Sequence, residues 1–66
     1  MFNGSKLKSL REAAGLTTAQ LGAAVGVSQP AISQYESGLK TPMPEIWCRI
    51  ADKLGVTMDD LRKKEA

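Results

Sequence analysis

The sequence predicts an all-α fold, a compact bundle of five short helices in which the second and third form a helix-turn-helix. Three observations carry this. Apolar residues recur at helical spacing, as in Leu7, Leu10 and Ala14 or Trp47, Ile50, Ala51 and Leu54. Two joins, VGVS at residues 25–28 and LGVT at 54–57, each give a glycine stop, an apolar fold-back and a hydroxyl cap. Pro30 and Pro44 stand where a first helical turn needs no backbone donor.

The chain has 66 residues, enough for one small domain with one core, so residues 1–66 are read as a single unit. One cysteine, Cys48, and no histidine exclude an internal disulfide and a zinc site of the usual four Cys/His ligands. The expectation is therefore no metal and no cofactor. A core this small and unstapled requires short loops or help from a dimer. No apolar run approaches the length of a membrane span, and the start, MFNGSKLK, lacks the apolar stretch of a signal peptide, which points to the cytoplasm. The net charge of +2 permits nucleic-acid binding without arguing for it.

Taken in order, residues 1–5 read as a loose lead-in, with Gly4 and Ser5 at a helix start. Residues 6–14 form the first helix, with Leu7, Leu10 and Ala14 facing the core. Gly15 ends it and Leu16 turns back. The run TTAQ at 17–20 is a capping box: Thr17 caps the helix and Gln20 reaches back to the Thr17 backbone. The second helix covers 18–25, with Leu21, Ala24 and Val25 inward. Gly26 has no Cβ to hinder the left-handed closing conformation, and Ser28 caps the third helix. That helix covers 29–37, with Ile32 and Tyr35 inward and Gly38 as its stop. Thr41 and Met43 each precede a proline, which keeps 39–43 extended. The fourth helix covers 44–54. A fifth, at 58–63, turns Leu61 inward, and the residues from 63 on fray.

The motifs GLTxxxL at 15–21, GVSxxxISxxExG at 26–38 and IAxxLGV at 50–56 resemble the Cro/cI-type helix-turn-helix family of phage repressors and bacterial regulators. The resemblance covers residues 6–61. It implies a lambda-repressor-like fold, double-stranded DNA as partner, and helix 3 in the major groove. The residues it places at the bases are Gln29 and Pro30, with Ser33 and Gln34 one turn on. It places Thr18 where the family commonly holds a phosphate through glutamine; a hydroxyl is shorter and makes one contact rather than two. In the loop after helix 3, only Lys40 is basic, which implies modest affinity. It also pairs Arg11 with Glu36 as a structural ion pair, and it implies a prokaryotic or phage setting.

The residues themselves agree in part. Positions 29, 30, 33 and 34 lie on one helix face. Glutamine amides suit the adjacent N6 and N7 of adenine, while Pro30 and Ala31 offer apolar surface to a thymine methyl, so some A·T content is expected. Without that role, Gln29 and Gln34 simply solvate the face. Backbone contacts are expected from Thr18, Ser28, Ser37 and Lys40 and from N–H groups at the starts of helices 2 and 3. Capping alone also explains Ser28, and the two roles are compatible. Arg has a planar fork that suits a carboxylate; a buried Arg11–Glu36 pair would cost about 3–5 kcal/mol to break, an exposed one about 0–1. Trp47 reads as a core anchor and Cys48, one residue off the stripe, as small and partly buried.

The leading functional expectation is a DNA-binding repressor or regulator without catalysis. It would act as a two-fold dimer, with Ile46, Met58 and Leu61 of helices 4 and 5 as candidate dimer residues unless they only complete the monomer core. The alternative is a protein-interaction module, an antitoxin or adaptor, on the same scaffold. No histidine, carboxylate pair or glycine-rich phosphate loop supports an enzyme.

Overall fold

The computed structural model describes residues 1–63. Four α-helices run in order: α1 (Gly4–Ala13), α2 (Thr18–Val25), α3 (Gln29–Ser37) and α4 (Pro44–Leu54). The expected fifth helix is a single 3-10 turn at Asp59–Leu61. Its start carries the hydroxyl cap expected at Thr57, and the structure makes it reciprocal: Asp60 N–H donates to Thr57 Oγ1 (3.1 Å) and Thr57 N–H to Asp60 Oδ2 (3.0 Å). It stops because the Leu61 carbonyl accepts from Asn3 N–H at 2.7 Å, a bond that a continuing helix would have needed for itself. Residues 64–66, part of the expected frayed tail, lie outside the described residues.

Local chemistry explains the helix ends. Thr17 Oγ1 accepts from Gln20 N–H at 3.0 Å while Gln20 Oε1 accepts from Thr17 N–H at 2.8 Å, completing the capping box. Gly26 closes α2 at φ 83°, and Gly38 closes α3 at φ 82°. Ser28 Oγ accepts from Ala31 N–H at 3.3 Å, and Pro44 opens α4.

The core joins Leu7 of α1, Leu21 and Val25 of α2, Ile32 of α3, Trp47, Ile50 and Ala51 of α4, and Leu61. Leu10, Tyr35 and Leu54 are half-buried against it. Several expectations need correction. Ala14 and Ala24 are exposed: each sits at the edge of its helical stripe, and a methyl group does not reach across to the next helix. Cys48 is exposed rather than partly buried, because one residue off the stripe is 100° around α4.

The largest correction concerns the start of the chain. Residues 1–5 are not a loose lead-in. Asn3 caps α1, accepting from Lys6 N–H at 3.1 Å, so the helix begins at Gly4, two residues earlier than expected. Phe2 is buried at 5% exposure, its ring edge-on to Trp47 at 5.0 Å and to Tyr35 at 6.5 Å. Phe2 and Arg62 form an antiparallel bridge, and Lys63 N–H donates to the Met1 carbonyl at 2.7 Å. Lys63 is thus tied down by its backbone rather than frayed. Trp47 Nε1 donates to the Met58 carbonyl at 3.0 Å, and the Arg62 guanidinium lies 5.4 Å from the Trp47 ring centroid.

Candidate nucleic-acid interface

The turn between α2 and α3 is built by close backbone approach. Gly26 and Val27 N–H groups both donate to the Gly22 carbonyl, at 2.8 and 2.9 Å. Gly22 is buried there, and a Cβ on it would stand 2.7 Å from the Val27 carbonyl oxygen. Arg49 of α4 supports the turn from outside, donating from Nη1 to the Val25 carbonyl at 3.4 Å and from Nη2 to Glu45 at 2.8 Å.

Glu36 ties the far end of α3 to α1. Arg11 Nε donates to Glu36 Oε2 at 2.6 Å and Nη2 to Oε1 at 3.3 Å, while Nη1 donates to the Leu16 carbonyl at 2.6 Å. Both side chains are about nine-tenths buried, with exposures of 11% and 9%. The hydrogen bond to Glu36 raises the Arg11 pKa above its ordinary value, outweighing the opposing effect of burial, so the guanidinium stays charged.

Away from the Ile32 and Tyr35 stripe of α3, Gln29, Pro30 and Ser33 are exposed and Gln34 is half-exposed, forming one uncharged face. The hydroxyls behave differently from one another. Ser28 Oγ uses a lone pair for the cap and keeps its proton to donate outward. Ser37 Oγ donates its proton to the Gln34 carbonyl at 3.2 Å, so it offers a phosphate nothing without breaking that bond. The Gln34 carbonyl also accepts from Leu39 and Lys40 N–H groups, at 2.9 and 3.2 Å, which folds the loop back under α3 with the Lys40 side chain exposed. Thr18, half-buried, stands apart from this face at the start of α2. In the same helix turn, Gln20 Oε1 is occupied by the Thr17 backbone, and the cap makes no use of the two donors on the amide nitrogen of this exposed side chain.

From residue 16 to residue 39 the chain holds one charged side chain, Glu36, and Arg11 neutralises it. Among the described residues no His/Cys/Asp/Glu cluster has the makings of a metal site.

Two short capped helices about a glycine turn, the second presenting an open polar face, define a helix-turn-helix protein. A match to the helix-turn-helix family spans residues 7–61, and the chain belongs to that family in its Cro/cI-type form. An uncharacterized HTH-type transcriptional regulator of Mycobacterium tuberculosis is 40% identical over 58 residues, 88% of this chain; the chain spans 41% of that relative's length. The fold is similar to that of the phage P22 c2 repressor in complex with a synthetic operator, with a TM-score of 0.91, 31% identity and 98% of each chain covered. It is also similar to Bacillus thuringiensis PlcR in complex with the peptide PapR7 and DNA, with a TM-score of 0.82, 34% identity, 88% of this chain and 20% of PlcR covered.

Proposed function

We propose that this chain is the sequence-specific double-stranded DNA-binding part of a transcriptional repressor or regulator, acting inside a prokaryotic cell or for a phage. One observation carries the reading: the open, uncharged face of Gln29, Pro30, Ser33 and Gln34, on a helix clamped at both ends. In this reading α3 lies in the major groove, the two glutamines read adenine, and Pro30 meets a thymine methyl. Ser28, Thr18, Lys40 and the amide nitrogen of Gln20 hold phosphates, while Ser37 contributes through the loop it shapes. The domain works by occupancy, without catalysis or cofactor. Among the described residues no helix is long and apolar enough to cross a membrane.

A two-fold dimer suits such a reader. Leu61 is fully buried and belongs to the monomer core, which removes it from the dimer surface. Ile46 and Met58, half-buried, stay as candidates there.

Selection of bound duplexes from a random pool tests the reading. The expected result is an enriched, two-fold symmetric motif with A·T pairs opposite Gln29 and Gln34. With Lys40 as the one basic side chain in the loop after α3 and Arg11 taken up by Glu36, log affinity should fall with log salt at a slope of about −1 per chain. The Gln20→Glu variant keeps the capping box and gains a favourable charge at a helix N-terminus, so its melting temperature should hold or rise. Its affinity should drop for every duplex, because donors are replaced by a carboxylate facing phosphate. No enrichment from folded protein would overturn the DNA reading and favour a protein partner, which the uncharged surface would also accept.

A further inference from the structure

We propose that residues 2–4 form a strap that sets the tilt of α3, which makes Phe2 and Gly4 positioning residues for base recognition. This role rests on α3 being the reading helix.

The strap touches α3 at its C-terminal turn. Gly4 is buried, and a Cβ built on it would stand 2.3 Å from the Tyr35 carbonyl oxygen and 2.5 Å from that of Glu36. Only a glycine lets the start of α1 come so close to the backbone of α3. Phe2 then wedges its ring between Tyr35 of α3 and Trp47 of α4. The strap is itself held from the other end of the domain: Asn3 N–H donates to the Leu61 carbonyl, Lys63 N–H donates to the Met1 carbonyl, and Arg62 bridges to Phe2.

The lever arm gives this contact its consequence. Gln34 stands five residues from Gln29, the end of α3 next to the turn, about 7.5 Å along one rigid helix. A tilt of about 10° pivoting at that held end would therefore move Gln34 by about 1.3 Å, more than a bidentate base contact tolerates. The turn at Gly26 holds one end of α3. The strap and the Arg11–Glu36 pair hold the other, and of these the strap bears on the backbone itself.

Two variants loosen the strap by different routes. Phe2→Leu keeps an apolar filling but removes the ring edges. Lys63→Pro removes the N–H that binds Met1 and leaves every core side chain in place. Residual dipolar couplings of the free protein report the angle between α2 and α3, and duplex titrations report the affinity ratio of selected to scrambled sites. Both variants are expected to rotate α3 relative to α2. Both should lower the ratio by about tenfold, the worth of one misplaced bidentate contact, with the scrambled-duplex affinity unchanged. A folded variant with the wild-type angle and the wild-type ratio would overturn the strap. If Phe2→Leu fails to fold, Lys63→Pro decides alone. A wild-type protein that binds no duplex would overturn the DNA reading, and the helix angle in the variants would still decide whether the strap tilts α3.

Discussion

Arg11→Ala is expected to leave most of the protein unfolded at 37 °C. The guanidinium makes three hydrogen bonds, two to Glu36 and one to the Leu16 carbonyl. Truncation strands a carboxylate that is nine-tenths buried beside the core. Breaking a buried pair from one side costs about 3–5 kcal/mol. At about 0.05–0.15 kcal/mol per residue, the whole domain holds about 3–10 kcal/mol. The loss is therefore comparable to the total stability, and the melting temperature should fall by about 12–40 °C for a domain of this size. Thermal unfolding followed by circular dichroism measures it. Replacing both partners at once, Arg11→Met with Glu36→Leu, should restore much of the loss, since no charge is then left buried alone. A single-variant shift below about 4 °C, worth about 1 kcal/mol or less, would mean that the pair is shared with solvent and does not pin α3.

Phe2→Ala is the second large effect. The ring is buried against Tyr35 and Trp47, and removing it opens a cavity under α3 at a cost of about 3–5 kcal/mol. A residue in a free lead-in would change stability by less than about 0.5 kcal/mol, so the two readings of the N-terminus differ by nearly an order of magnitude. Guanidinium unfolding followed by Trp47 emission separates them, because the indole sits directly against the ring being removed. A midpoint unchanged from wild type would refute the packing of the strap.

The face proposed to read DNA was legible in the sequence as far as helical period reaches: positions 29, 30, 33 and 34 share one side of α3 whatever surrounds it. The chemistry of the hydroxyls around it was not. Ser28 and Ser37 look alike in the sequence, yet one keeps its proton for a ligand and the other gives it to the Gln34 carbonyl. The Arg11–Glu36 pair lies 25 residues apart, beyond any local periodicity, and only the family resemblance suggested it.

The sequence by itself determined the four α-helices and the ends of α2, α3 and α4, because a cap or a glycine stop acts on groups within four residues of itself: Thr17 with Gln20, Ser28 with Ala31, Gly26 with Gly22. It determined the apolar stripes of Leu7, Leu21, Ile32 and Ile50 for the same reason. The tertiary structure decided the rest. It buried Phe2 and left Cys48 and Ala24 in solvent. It turned the expected fifth helix into one 3-10 turn, since the Leu61 carbonyl is claimed by Asn3 from the other end of the chain. Those outcomes depend on which distant surface arrives at a residue, and no short-range rule contains that information.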